Sequence, residues 1–405
     1  MPMFTLRSLT PWGWSCLLLA LVCLPRVALD LYLPAWPQMA QALEVPPAQV
    51  QFSLTAYMLG YALCMLLAGP LCDLWGRRPL LLAGLGLYGV ATLGCLLAVD
   101  LPSLCVARFF QALGGCCGPL VARVMVRDRF AADEQARLLG LLSSGMAIAP
   151  LLAPAFGSLL LEVLGWRGLF GGLLIIGLLS QVQAVRYLPE TRPFDASPAH
   201  LCQAWRQVLG SRVFWRSSLV IGCAYCSYFP FISESSLLLQ HGLGLSPQVY
   251  GLVLGGTVAA YAAGSRCYGL LVRRLGNERV IILGCAINLA GSAALLALQL
   301  AGVSLWTLPL ALLPVMLSVG LIIPACQWAV LQPFAAIAGT ASGGFFFVQM
   351  LLTALSSALT GAWSDGSAWP MVGMTVVASA LLPGVLWLTA SRSRARTKHA
   401  LLAGE

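Results

Sequence analysis

Long apolar segments constrain the fold of this chain more than any other feature. Each has about 19–27 residues, and a helix needs roughly 20 apolar residues to cross the hydrocarbon core of a bilayer. Only 9% of the residues are charged and 59% are hydrophobic, a composition that excludes an ordinary soluble domain and a disordered chain. The segments lie at about 12–33, 50–70, 80–98, 102–123, 138–161, 167–188, 214–238, 248–271, 279–300, 304–330, 336–361 and 369–390. The sequence therefore predicts an all-α polytopic membrane protein with twelve transmembrane helices.

The net charge is +9, and the positions of the basic residues indicate how the chain is oriented in the membrane. Most of the 23 basic residues fall on alternate connections and on the two ends of the chain, for example Arg123, Arg127 and Arg137 after the fourth segment. The other set of connections holds Arg167. Because basic residues stay on the cytoplasmic side of a membrane, we expect both termini in the cytoplasm and no nucleic-acid partner.

A polar stretch divides the twelve segments into two sets of six. It predicts an N-terminal six-helix bundle at 1–188, a cytoplasmic linker at 189–213, a C-terminal bundle at 214–391 and a basic cytoplasmic tail at 392–405. This layout is typical of two pseudo-repeats. A weak internal echo agrees with it, since Arg77-Arg78 after the second segment is followed about 196 residues later by Arg273-Arg274.

Signatures of enzymes and metal sites are missing from the sequence. It has no Walker phosphate loop, no HExxH and no GxSxG with a plausible triad. Most of the 14 cysteines lie within apolar segments, where cysteine behaves as a small hydrophobic residue. We therefore expect no catalytic residues, no metal and no cofactor.

The strongest local motif follows the second segment. Gly69 is followed by the acid Asp73 and then by a glycine turn, Gly76, that carries Arg77 and Arg78. The acid can accept hydrogen bonds from the amides at a helix N-terminus, and the arginines can bind carboxylates or helix-end carbonyls. We predict a conformational latch. The pattern resembles the signature loop of the major facilitator superfamily, G-x-L-a-D-r-x-G-r-k.

Further motifs resemble the Bcr/CflA drug-resistance branch of that superfamily. Residues 30–37 resemble its D-x-Y-L-P-x-x-P, and residues 108–114 its R-x-x-Q-x-x-G. A helix-rocking motif of antiporters is matched loosely by Gly145, Pro150, Pro154 and Gly157. The resemblance covers about residues 12–390 and implies a fold of two six-helix bundles that exports drugs in exchange for protons. The chain departs from the pattern at Ala149, at Glu234 and at Arg26.

Charged residues inside apolar segments are expensive and therefore face a wet cavity or one another. Arg26 and Asp30 are four positions apart on one helix face and can pair. A carboxyl group balanced between desolvation and nearby cations can exchange a proton near neutral pH. We predict Asp30 as the main proton-linked acid, Arg108 as the cation that releases or replaces its proton, and Glu234 as a second acid. The alternatives are a structural ion pair for Asp30, a helix-end anchor for Arg108 and a solvated position at the periplasmic mouth for Glu234.

A midplane cavity is expected to hold the substrate. Its predicted members are polar or aromatic residues of cavity-prone segments, although lipid-facing positions are an equal alternative for each aromatic. They are Arg26, Tyr32, Tyr57, Tyr61, Gln111, Tyr228, Phe231 and Gln349.

The sequence thus favours a monomeric, proton-driven antiporter of a bacterial inner membrane. It would export amphiphilic small molecules or drugs by alternating access, with the proton gradient as its energy source and the lipid bilayer as its environment. The alternative is a dedicated exporter of a metabolite, such as a siderophore or amino acid, on the same fold. A membrane enzyme or receptor is a third, disfavoured class, since no extramembrane domain is evident.

Overall fold

The computed structural model describes the backbone of residues 11–191, 199–302 and 307–402, and within these ranges it contains helices and no strand. The first half comprises α1 (Pro11–Asp30), α2 (Trp36–Ala42), α3 (Pro47–Trp75), α4 (Arg77–Leu97), α5 (Leu101–Gly115), α6 (Cys117–Arg129) and α7 (Ala132–Tyr187). A short 3-10 turn, Leu33–Ala35, joins α1 to α2.

The second half repeats this arrangement with different breaks. It comprises α8 (Ala199–Leu209), α9 (Arg212–Cys226), α10 (Phe229–Ser235), α11 (Pro247–Leu275), α12 (Asn277–Leu300), α13 (Leu308–Leu331), α14 (Ala338–Trp363) and α15 (Trp369–Leu402). A π-helical turn, Ser236–Gly242, extends α10, and a 3-10 turn, Gln332–Ile337, precedes α14. Helix α8 lies within the stretch predicted as a linker. Residues 192–198 of that linker, and the side chains of the predicted tail, lie outside the described residues.

Helix α7 is two antiparallel helices joined at Gly165, whose φ of 64° and ψ of 178° are not helical. The first part runs parallel to α1, with Gly145 beside Leu19 and Gly157 beside Leu31. In the second part Gln181 contacts the backbone of α4. A left-handed φ of this kind favours glycine, because a Cβ atom is strained there. The glycine therefore makes the hairpin between the fifth and sixth predicted segments.

The prediction of an all-α membrane protein is confirmed. Within the described ranges, nine helical stretches are long and apolar enough to cross a membrane. One of them, Arg137–Tyr187, has 51 residues, about 75 Å of helix at 1.5 Å per residue, and holds two crossings. The nine stretches thus give ten crossings. Helices α9 and α10 together form another and α11 forms one more, so the described helices make twelve crossings in all.

One helix and the turn after it recur in the second half at an offset of 200 positions. Helices α3 and α11 begin at Pro47 and Pro247, and they end at Gly76 and Gly276 with φ of 98° and 79°. The spacing of 196 positions between the arginine pairs differs from this offset by four residues. The reason is physical, since the repeated element is the left-handed glycine turn and the arginines fall on different sides of it.

Two helix pairs form most of the contact between the bundles. Helix α3 packs along α14, and α7 packs along α11. We call the end of the protein with the α3–α4 and α11–α12 turns the basic end, because Arg77, Arg78, Arg273 and Arg274 lie there. The other end is the opposite end.

Candidate functional site: the cavity between the bundles

A cavity of about 270 Å³ lies between the two bundles. Both bundles contribute polar and aromatic side chains to its wall, among them Arg26, Asp30, Tyr61, Arg123, Tyr225, Tyr228, Tyr261 and Gln349. Deep in the wall Tyr228 and Leu254 are buried, whereas towards the basic end Gln327 is half-buried and Ser143 is exposed. The cavity therefore extends towards the basic end.

The opposite end is sealed by contacts between the bundles. An added Cβ on Gly251 of α11 would lie 2.9 Å from the carbonyl oxygen of Pro154 on α7, so the two backbones nearly touch. The Gln248 amide donates to the Glu162 carboxylate on the same pair of helices. Small residues permit such close packing in membranes. This conformation is therefore open at the basic end and closed at the opposite end.

Arg26 and Asp30 form an ion pair at the cavity wall, with 3.2 Å between Nε and Oδ2. The predicted pairing along one helix face is confirmed. Arg26 Nη1 also donates to the hydroxyl of Tyr225, 3.1 Å away on α9. One guanidinium therefore connects an acid of the first bundle to the second bundle.

Arg108 lies behind this pair and is fully buried. Its guanidinium carbon sits 4.2 Å from the ring centre of Tyr32 and 4.1 Å from that of Tyr57, and cation–π attraction favours this arrangement. Its Nη1 donates to the Ala28 carbonyl at 2.9 Å and to Gln111 Oε1 at 2.6 Å. Arg108 thus fixes α1 two residues before the acid, and its charge acts on that acid electrostatically.

The structure divides the predicted cavity residues into two groups. Those that line the cavity are Arg26, Tyr61, Tyr228 and Gln349. Those outside its lining are Tyr32, Tyr57, Gln111 and Phe231, which are buried within a bundle. Tyr32, Tyr57 and Gln111 surround Arg108. Their polar atoms bond inside the bundle, to Ser53, to the Pro25 carbonyl, and to Arg108 and Thr92.

Several lining residues were not among the predicted site, and three of them, Tyr225, Tyr261 and Arg123, carry aromatic or charged side chains. Tyr261 could have been found from the offset of 200 positions, since it is equivalent to Tyr61. Arg123 was assigned to a cytoplasmic connection, and this assignment is wrong. Helix α6 continues to Arg129 and carries Arg123 into the cavity wall.

Glu234 lies on α10, outside the lining of the cavity. It is fully buried, and Ser364 in the α14–α15 connection donates to its Oε2 at 2.9 Å. Its Oε1 has no hydrogen-bond partner in the described part of the chain. The alternative prediction that Glu234 is solvated is therefore wrong for this conformation. The part of that alternative that places Glu234 near one mouth of the protein agrees with its position at the opposite end.

The predicted latch contacts its own bundle. Arg77 Nε lies 3.0 Å from Asp128 on α6, and Arg78 donates to the Val185 carbonyl at 2.8 Å. The carboxylate of Glu190 accepts the backbone N–H groups of Arg77 and Arg78, at 2.9 and 3.1 Å, and so satisfies the first amides of α4. Gly76 supplies the left-handed turn, and Gly69 faces Gly339 near the start of α14. The side chain of Asp73 lies outside the described residues.

The predicted helix-rocking motif serves two interfaces. Gly145 and Gly157 pack against α1 within the first bundle. Pro150 and Pro154 line the cavity, and Pro154 also contacts α11 across the bundle interface. The motif therefore lies where α7 meets both a neighbour and the opposite bundle.

Hydrogen bonds lower the pKa values of two acids that lie in connections at the opposite end. Hydrogen bonding by the hydroxyl and the backbone N–H of Ser103, the latter 2.8 Å from Asp100 Oδ1, holds the pKa of Asp100 below its usual value. Ser367 donates from its hydroxyl and its N–H to Asp365, and lowers the pKa of Asp365 in the same way. Both acids stay charged at neutral pH.

Two pseudo-equivalent helical bundles around a charged, aromatic cavity are the architecture of a membrane transporter. The chain belongs to the Major Facilitator Superfamily, whose profile matches residues 17–357. It is 29% identical over 367 residues to multidrug resistance protein D of Escherichia coli (strain K12), covering 89% of this chain and 93% of that one. It is 28% identical over 392 residues to a chloramphenicol resistance protein of Pseudomonas aeruginosa, covering 94% and 91%.

The fold also matches a solved structure. A bacterial homolog of the human lysosomal transporter Spinster, in an inward-facing and occupied conformation, superimposes with a TM-score of 0.72. The match covers 95% of this chain and 96% of that chain at 16% identity, so it supports the fold alone.

Proposed function

We propose that this protein is a proton-coupled antiporter that exports amphiphilic small molecules or drugs across a bacterial inner membrane by alternating access, as a member of the Bcr/CflA branch. The observation that carries the proposal is the ion pair of Arg26 and Asp30 in the cavity wall. The names of the relatives, which refer to multidrug and chloramphenicol resistance, support the class of substrate.

The coupling step is a competition for Arg26. When Asp30 is charged, it pairs with Arg26, which also donates to Tyr225 of the other bundle. When a proton neutralises Asp30, the ion pair is lost and the guanidinium is released from its acid. Because the same guanidinium connects the bundles, the proton alters a contact that must change when they rock. Arg108 keeps α1 in place through the Ala28 carbonyl during this exchange.

Glu234 is the second acid of the scheme. It is covered by the connection between α14 and α15 at the opposite end. Opening of that end would uncover its carboxyl group to the periplasm, where protons enter. A proton would then load at Glu234 or at Asp30 in the outward-open state and leave to the cytoplasm through the cavity in the inward-open state.

A dedicated exporter of one metabolite remains the second candidate. The observation that favours it is the charge of the cavity, whose described wall contains two guanidinium groups, Arg26 and Arg123, and one carboxylate, Asp30. Competition binding separates the two candidates. Displacement of one ligand by many unrelated lipophilic compounds supports a drug pump, and saturation by a single metabolite supports a dedicated exporter.

Efflux from everted membrane vesicles tests the proton role of Asp30. With ethidium as the probe and a pH gradient as the driving force, Asp30→Asn should abolish gradient-driven transport, because the amide cannot carry the proton. Asp365→Asn is the matched control, since it removes an exposed acid outside the cavity. Membrane insertion is verified by the amount of folded protein in the vesicles. Full gradient-driven transport by Asp30→Asn would refute the assignment.

A further inference from the structure

Arg123 is a cation in the cavity wall that the coupling scheme does not use. It lies on α6, half-buried, on the side of the cavity towards the basic end. Its Nη2 donates to the sulfur of Met146 on α7 at 2.8 Å. Tyr61 of α3 lines the same cavity. The helix that carries Arg123 and its bond to α7 therefore hold this guanidinium at the cavity wall.

The hydrogen-bonding capacity of Arg123 is largely unused. A guanidinium has five N–H donors in a planar fork that matches a carboxylate. A thioether sulfur is a weak acceptor, and no carboxylate of the described residues pairs with Arg123. By contrast, Arg26 is paired with Asp30 and bonded to Tyr225. A cation held in a partly dry wall without a counter-charge is costly, so a bound anion would offset this cost.

The remaining wall suits a flat ring. Four tyrosines line the cavity, one from the first bundle (Tyr61) and three from the second (Tyr225, Tyr228 and Tyr261). Aromatic rings in a pocket bind a planar ligand by offset or edge-to-face contacts. The volume of about 270 Å³ accommodates a small bicyclic molecule. The same wall therefore offers one site for a ring and one site for a negative charge.

We propose that Arg123 forms an anion subsite that binds the carboxylate of an aromatic small molecule whose ring packs against the cavity tyrosines. This inference rests on the proposed function in one respect, that the cavity between the bundles is the place where substrate binds. It adds to the expected substrates a class of aromatic compounds that carry one anionic group. Arg123 is then the residue that distinguishes an anion from its neutral analogue.

Equilibrium binding to the purified full-length protein in nanodiscs tests the subsite. The probes are 2-naphthoate and the neutral 2-naphthamide, which have the same ring and nearly the same shape. We expect the wild type to bind 2-naphthoate about 10-fold or more tightly than 2-naphthamide, the scale of a charge-assisted hydrogen bond. Arg123→Gln should abolish this preference while 2-naphthamide binds as before, and Arg123→Lys should retain part of it.

Arg127→Gln is the matched control, because Arg127 is an exposed basic residue one turn further along α6 and does not line the cavity. It should keep the wild-type preference. Unchanged binding of 2-naphthamide by Arg123→Gln demonstrates that this variant is folded. Equal binding of the two probes by the wild type, or a preserved preference in Arg123→Gln, overturns the proposal.

Ethidium efflux keeps this proposal separate from the proton-coupled function. Arg123→Gln should still export the cation ethidium in response to a pH gradient, since Asp30 and Arg26 are unchanged. Loss of naphthoate preference with retained ethidium efflux supports both proposals. Absence of gradient-driven efflux in the wild type, with a preference for naphthoate that depends on Arg123, refutes the antiporter and leaves the anion subsite standing.

Discussion

The close contact of α7 and α11 at the opposite end leads to a prediction about conformational equilibrium. A Cβ atom at Gly251 would lie 2.9 Å from Pro154 O, 3.1 Å from Ala155 Cα and 3.1 Å from Ser158 Oγ. Two of these three atoms are backbone, so Gly251→Ala would force the helices apart. Overpacking of this kind costs about 1–3 kcal/mol. The cost applies only while the opposite end is closed.

The expected result is a shift towards a conformation that is open at the opposite end. A differential cost of about 1–3 kcal/mol changes the ratio of the two conformations by about 5–150-fold. The assay measures the distance between spin labels at positions 163 and 249, attached through an unnatural amino acid so that the native cysteines remain. The distribution for Gly251→Ala should gain a longer-distance population. Gly255→Ala should add to the effect, since its Cβ would meet Leu151 O at 3.0 Å.

Gly256→Ala is the matched control on the same helix. Gly256 is exposed, and a Cβ there would meet no atom within 4 Å. Both substitutions gain the same helix propensity, about 1 kcal/mol for glycine to alanine, so propensity cancels in the comparison. The reasoning is refuted if Gly251→Ala and Gly256→Ala give the same distance distribution.

Two further predictions concern stability. Asn288 bonds to Ser227, Ser318 and Ser379 at 2.7–2.9 Å in a fully buried network. Asn288→Leu should therefore lower the free energy of unfolding by about 1–3 kcal/mol. An unchanged midpoint in a denaturant titration would contradict this. Asp100 caps α5, and its lowered folded-state pKa means that its charge stabilises the fold above about pH 4 and ceases to do so as the pH falls through that folded value. Asp100→Asn should therefore be less stable than the wild type at pH 7 and equally stable near pH 2, as measured by thermal unfolding; a difference that does not change with pH would count against it.

Interactions within one helix could be predicted from the sequence. The pairing of Arg26 with Asp30 and of Arg108 with Gln111 depends only on spacings of four and three residues, which place side chains on the same helix face. The approximate helix lengths and the class of fold could also be predicted, because the bilayer sets the length of each apolar segment. Contacts between neighbours on one helix therefore follow from the sequence alone.

Contacts between distant segments could not be predicted in this way. The bond from Arg26 to Tyr225 joins residues 199 positions apart, and no sequence spacing encodes it. The burial of Tyr32 and Tyr57 against Arg108 removes two aromatics from the predicted cavity. The sequence predicts that the fourth crossing ends near residue 123, whereas the helix continues to Arg129. A helix can continue past its apolar segment when its polar side chains face a cavity, and for this reason Arg123 was not predicted as a cavity residue.

The sequence by itself determined that this chain crosses a membrane as helices, which end carries positive charge, and which acids and arginines are stranded among apolar residues. These properties follow from hydrophobicity, charge and helical period, all of which are local. Only the tertiary structure decided that Arg26, Asp30 and Arg123 face one cavity while Glu234 lies beneath the α14–α15 connection. That outcome depends on how two bundles pack, and the packing is governed by small-residue contacts such as Gly251 with Pro154 that act between helices far apart in the chain.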